Sequence, residues 1–175
     1  MTHPSGPSLE TDRLMLRPPT ASDWPFWEAF EGSDRARFIG GPYNSAQSWG
    51  GFCLTLGHWV FHGFGPFAVC LKDRADPIGM VGPWDAPERP GQEVGWKIWD
   101  GAAEGQSFAA EATGRVLHYV FDTLRWTTAV SYVSPENTRS IALAERLGAT
   151  IDPKAARPQP DDLVYRHARP SEALQ

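Results

Sequence analysis

The hydrophobic period of this chain changes near Ser107, and that change restricts the fold more than any other feature. Before it come three short β-like stretches: Phe67 to Lys72, Ile78 to Trp84, and Glu93 to Trp99. In the third, Val94, Trp96 and Ile98 alternate with Glu93, Gly95 and Lys97. The turn-rich segments DRADP and APERPGQ separate them, and this hairpin-like spacing predicts an antiparallel meander. From Ser107 to Leu124 the apolar residues Phe108, Ala112, Val116 and Val120, with Leu117, Phe121 and Leu124, recur at helical spacing. Thr127 to Val133 is β-branched enough for a strand. Ser134 to Ala149 starts as a capped helix and stops at Gly148, a C′ position. Leu163 to His167 completes the series as a strand. Strand, helix, strand, helix, strand requires some parallel pairing. The expected fold is α+β, with a central mixed, mostly antiparallel twisted sheet flanked by helices.

The N-terminal half is less regular. Leu9 to Arg17 reads as one strand, ended by Pro18 and Pro19. Ser22 is a candidate N-cap for a helix reaching Phe30. After the Gly40-Gly41-Pro42 break a second helix covers Ala46 to His62, despite Gly50, Gly51 and Gly57. At 175 residues, 41% hydrophobic and 21% charged, the chain suits one domain. Residues 9–169 are expected to form it, with flexible termini at 1–8 and 170–175. No apolar run is long enough for a membrane span, and no signal-like segment opens the chain. A cytoplasmic location without membrane contact is expected. Cys53 and Cys70 then read as reduced core thiols. A net charge of −5 without a Lys/Arg cluster speaks against a nucleic-acid partner. Monomer and homodimer both remain open.

Between Trp99 and the long helix lies DGAAEGQSFAAEA. A strand that turns through small residues into a helix presents unpaired N–H groups and a helix dipole, a geometry suited to phosphate. Gly105, Ala109 and Ala110 would let a diphosphate approach the backbone. The other reading is an ordinary strand-to-helix turn. Walker and Rossmann fingerprints are both absent.

The order of these pieces resembles the GNAT N-acetyltransferase superfamily: a strand, a loop near Gln/Arg-x-x-Gly-x-Gly/Ala, a long helix, a strand, then Pro135-x-Asn137-x-x-Ser140 and a helix ending Leu147-Gly148. Within it the chain most resembles the ribosomal-protein N-terminal acetyltransferase branch, through LETDRLMLRPPTASD, GHWVFHGFGPFAV, PIGMVG and GQEVGWKIW. The resemblance covers roughly Leu9 to Arg169. It implies a GNAT-like single domain that binds acetyl-CoA as co-substrate and transfers acetyl to a primary amine, on a protein N-terminus or a small molecule, by direct attack in a ternary complex. It further implies that Glu104, Gly105, Gln106, Ser107, Phe108 and Ala109 cradle the diphosphate. A backbone N–H near Ile98 or Trp99 would polarise the thioester. Asn137 would contact the cofactor arm, and Ser140 would lie near the sulfur. Glu104 and Ser107 depart from the pattern, where Gln or Arg and Gly are usual. They motivate a second reading, a non-catalytic CoA-binding or protein-interaction module that keeps the fold.

Acetyl transfer to an amine needs a base, an oxyanion donor and an acid for the thiolate. Glu93 is the candidate base, against a plain solvated carboxylate; Glu88 and Asp85 are alternatives. Ser140 is the candidate acid, against a first-turn Ser bonding backbone. Asn137 is a candidate N-cap as well as a cofactor ligand. Tyr132 and Tyr165 are further proton donors. Trp24, Trp27, Trp59 and Trp84 are candidates to wall an acceptor cleft, or simply core. Glu111 reads as a solvated or capping carboxylate. His58 and His62 have zinc-like spacing but no third ligand, so no metal is expected.

Overall fold

The computed structural model describes residues 5–170. Among them, eight strands form one sheet in the order β1-β2-β3-β4-β5-β6-β8-β7. Its elements in chain order are β1 (Leu9–Glu10), β2 (Leu14–Arg17), α1 (Trp24–Glu31), α2 (Ser45–His62), β3 (Phe67–Leu71), β4 (Pro77–Trp84), β5 (Glu93–Ile98), α3 (Phe108–His118), β6 (Ala129–Val133), α4 (Thr138–Arg146), β7 (Thr150–Ile151) and β8 (Leu163–His167). The β5–β6 pair is parallel and the other neighbours are antiparallel. This is the mixed, mostly antiparallel α+β sheet expected.

Alternation along the central strands sends side chains to two helical layers. Val69, Ile78, Val81 and Val94 face α3 and pack with Phe108, Ala112, Val116 and Val120. Met80 lies on the opposite face, packed with Trp27, Phe30, Phe52 and Trp99 beneath α1 and α2. Burying each such large side chain stabilises the fold by about 1.5–3 kcal/mol. A third cluster joins α4 to β6 and β8 through Val133, Ala144 and Tyr165.

Several local expectations need correction. Leu9 to Arg17 is not one strand. Leu14 N–H is bonded by the Thr11 hydroxyl and Thr11 N–H by Leu14 C=O, so the chain turns back and β1 pairs with β2. The first helix is capped at Thr20 through Asp23, with a 3₁₀ turn over 21–23, rather than at Ser22. The long helix is α-helical only to His118 and continues as a wider π turn over 119–123. Cys53 is exposed on α2, while Cys70 is buried. Gly148 does take the left-handed conformation of a C′ residue, at φ 77°.

The proposed terminal segments fall partly on residues 1–4 and 171–175, outside the described residues. Residues 5–8 have no regular structure, yet a Cβ on Gly6 would come within 2.3 Å of the Trp59 ring. That stretch therefore rests on the domain's surface.

Candidate functional site

β5 and β6 pair at Glu93 and Val130 and, among the described residues, at no further register position. Beyond that point the two strands diverge. Val94 C=O points toward β6, where it accepts the Ser131 hydroxyl at 2.6 Å. Strand alternation then turns the backbone groups of Trp96 and Ile98 toward the same gap. Trp99 N–H points the other way and is committed to Ile78 C=O at 2.8 Å. Of the two backbone donors considered, Ile98 is therefore the one facing the fork.

The fork is held by a buried pair. Ser131 Oγ lies 2.8 Å from His167 Nε2. Because the hydroxyl donates to Val94, its oxygen accepts from an Nε2–H imidazole. His167 Nδ1 is left without a partner among the described residues. Burial lowers the His167 pKa to about 4, so the ring is neutral at neutral pH.

A cleft of about 450 Å³ passes through the sheet at this fork. On the α1–α2 face its lining includes Trp27, Glu31, Tyr43, Trp84, Glu93 and Lys97; on the α4 face it includes Trp96, Asn137 and Ser140. Two glycines face each other across β4 and β5, Gly82 and Gly95. A Cβ on Gly95 would stand 3.7 Å from Glu93 Oε1, so its absence widens the floor beside that carboxylate.

Glu93 is 14% exposed and lies 3.2 Å from Arg89. Burial raises its pKa, and Arg89 and Lys97 oppose the shift. Glu88, also on the cleft, accepts from Trp84 Nε1 at 2.9 Å. Asp85 is turned to Gln92, and its N–H binds His58 Nε2. Ser140 Oγ accepts from Trp96 Nε1 at 3.1 Å, which leaves its own proton free to be donated. Asn137 caps α4 through Oδ1 to Ser140 N–H at 3.2 Å, so its Nδ2 remains a donor. Both roles assigned to Asn137 are compatible in one side chain.

The loop 99–108 lies beyond the far end of β5. Gly105 and Ser107 both adopt positive φ, 75° and 64°, and α3 begins at Phe108 with Ala109 in its first turn. Glu104 does not turn freely to solvent: Arg35 and Arg139 both bind its carboxylate. Arg146 bonds Ser107 Oγ at 3.1 Å, and Arg13 bonds Gln106 C=O at 3.1 Å. Gln106 folds back onto Ala102 C=O. Between Glu104 and Phe108 the guanidinium groups of Arg13, Arg35, Arg139 and Arg146 thus gather against two carboxylates, Glu104 and the Glu111 that Arg13 also binds, a setting suited to an anion. Trp99 itself is buried against Trp27, and its C=O, with that of Ile98, is held by Arg35.

Other expected residues lie elsewhere. Trp59 is core, donating to Pro66 C=O, and Trp24 packs on Trp49 and Phe52; Trp27 and Trp84 do wall the cleft. Tyr132 lines it, but Tyr165 is buried with its hydroxyl toward Glu145. Glu111 is neither solvated nor a cap; it accepts from Thr11 and Arg13 and ties the β1–β2 turn to α3. Both His58 nitrogens are engaged, by Phe64 C=O and Asp85 N–H. Among the described residues no group of three or more potential ligands is placed to hold a metal.

The sequence reading misses Glu31 and Lys97, a 2.9 Å ion pair inside the cleft with Lys97 Nζ 4.4 Å from the Trp27 ring centroid. It also misses Ser131, His167 and the loop arginines. Lys97 carries a signal, since it shares a strand face with Glu93; the others meet only through the fold.

Residues 13–150 match the family model described as an acetyltransferase (GNAT) domain. The chain is similar to the crystal structure of an acetyltransferase from Agrobacterium tumefaciens str. C58, at 43% identity and TM-score 0.89, covering 94% of this chain and 95% of that one. It shares its fold with the spermidine N-acetyltransferase from Vibrio cholerae in complex with CoA and spermine (20% identity, TM-score 0.70, covering 89% and 94%). It also shares it with the ribosomal-protein-S5-alanine acetyltransferase from Vibrio fischeri (16% identity, TM-score 0.66, covering 93% and 97%).

Proposed function

The chain belongs to the GNAT acetyltransferase family, and from that premise we propose that it transfers acetyl from acetyl-CoA to a primary amine at the β5–β6 fork. The observation that carries this reading is the cleft through the sheet, with Glu93 on one face and Ser140 on the other. The chain's own groups fit the co-substrate. The backbone N–H and C=O of Trp96 face the gap and would hold an amide-bearing arm. Asn137 Nδ2 would donate to it, and the loop 104–109 with its arginines would hold the diphosphate. Bound there, acetyl-CoA supplies an activated acyl group on sulfur.

Each remaining task falls to a named group. An amine of pKa near 10.4 is an ammonium at pH 7, and freeing it costs roughly 4–5 kcal/mol. Glu93 takes that proton, directly or through water; its raised pKa brings its basicity nearer the working pH. Ile98 N–H stabilises charge developing on the carbonyl oxygen. The Ser140 hydroxyl, its oxygen engaged by the Trp96 indole, donates a hydrogen bond to the departing sulfur, which takes up the proton that the attacking nitrogen sheds as the amide forms. Juxtaposition of the two reactants supplies much of the acceleration.

The acceptor is a protein N-terminus or a small amine. Both kinds are named among structures of this fold, a ribosomal protein's alanine and spermidine. Thiol release measured with short N-terminal peptides and small amines tests the reading, alongside thermal shift with acetyl-CoA. Turnover with at least one acceptor is expected. Stabilisation without turnover against any amine would favour a CoA-binding module instead, and no stabilisation would remove both.

A further inference from the structure

The 18 residues of α2 include no Asp, Glu, Lys or Arg. Its inner face is buried through Ser48, Phe52, Thr55, His58 and Trp59. Its outer face is apolar: Trp49, Cys53, Leu54, Val60 and Phe61 are exposed, Val60 at 73% and Phe61 at 88%. With Ala46, Gly50 and Gly57, these residues follow the spacing of a single helix side. Isolated exposed apolar residues need no explanation, but a continuous row marks a contact surface. The glycines add an independent sign. A Cβ on Gly50 or Gly57 would meet nothing within 4 Å, so nothing within the chain calls for glycine there, and each weakens the helix relative to alanine. What glycine offers on an outward face is close approach of another backbone.

We infer that this face joins two copies of the chain, α2 packing antiparallel against α2 across a two-fold axis. The charge pattern selects the occupant. An acidic or basic partner finds no counter-charge on α2. A helix lying on a membrane carries Lys and Arg on its polar side, and α2 has neither. The same stripe on a second copy is equally uncharged and complementary in shape. Gly50, Cys53 and Gly57 form a groove, and Trp49, Leu54, Val60 and Phe61 form the ridges that fill one. The exposed large side chains offer on the order of 500 Å² per copy, about 1,000 Å² for the pair, the lower bound of a specific interface. Leu54 and Gly51 also line the catalytic cleft, so the second copy lies beside the acceptor's entrance.

Light scattering and sedimentation of the full chain should show a dimer. Cys53 lies at the middle of the stripe, while the other cysteine, Cys70, is buried. A short bis-maleimide should therefore link wild-type pairs and leave Cys53→Ser unlinked. The double variant Val60→Glu, Phe61→Glu should raise the dissociation constant by ~100-fold or more, because the pairing buries unmatched charge. Gly57→Ala is the control for folding: its methyl is free in the monomer, so it should keep a native circular-dichroism spectrum while weakening the dimer several-fold. A monomer at every concentration overturns the proposal. So does a dimer indifferent to the glutamates, a dimer that Cys53 does not cross-link, or binding to lipid vesicles in place of self-association.

Discussion

His167 makes the stability of the strand fork depend on pH, in a direction that can be worked out. The unfolded imidazole takes a proton near 6.5, whereas burial holds the folded one neutral to about 4. Between those values the unfolded chain binds more protons, so stability falls as the pH falls. The contribution is fully present above 6.5 and lost progressively on the way down through the folded value. At ~1.4 kcal/mol per pH unit, the whole gap comes to about 3 kcal/mol, and about 2 kcal/mol of it is lost by roughly pH 5. Substitution by Gln keeps a donor for Ser131 and removes the titration. Urea unfolding of wild type and His167→Gln, near pH 7.5 and near pH 5, isolates the effect, because every other titrating group is common to both. The wild type should lose about 2 kcal/mol more than the variant between the two conditions. Parallel pH dependence, within ~0.5 kcal/mol, would refute the burial argument for this ring.

Glu93→Gln should lower kcat by roughly 10²–10⁴ and abolish the acid limb of the pH–rate profile; an unchanged profile removes Glu93 as the base. Because the folded-state pKa of Glu93 is raised, burying its charge costs stability as pH rises through that value, so the same variant should melt above wild type near pH 8. Asn137→Ala should lose its helix cap, about 1 kcal/mol, and weaken CoA binding in calorimetry; unaltered affinity would leave only the cap. Glu104→Gln should release Arg35 and Arg139, so that CoA binds several-fold tighter and with a steeper salt dependence. Equal or weaker binding would show that this carboxylate positions the arginines rather than competing with the ligand.

What could be read from the sequence follows the range of the forces involved. α4 is legible because its signals are local: Asn137 caps it and Gly148 closes it. β5 is legible because its two faces alternate. Cys53 is misread since its neighbours Phe52 and Leu54 are apolar, while only the phase of the helix decides which of the three points inward. The π turn after His118 continues the apolar row without a break, so the pattern alone does not register it. Glu104 shows in the sequence only as a departure from the pattern, and its partners stand 69 and 35 residues away. Ser131 and His167 are 36 residues apart and carry no periodic signature at all.

The fork between β5 and β6 also changes how specificity should be distributed along the chain. On the proposed reading, a ligand arm lying there would complete the sheet as an inserted strand does, hydrogen-bonded to peptide groups that every residue possesses. Substitutions that alter only the side chains of Trp96 or Ile98 leave those bonds available. Discrimination among acyl donors should then reside in the width of the gap and in the residues at its two mouths, while the seam itself accepts any arm of the right backbone shape.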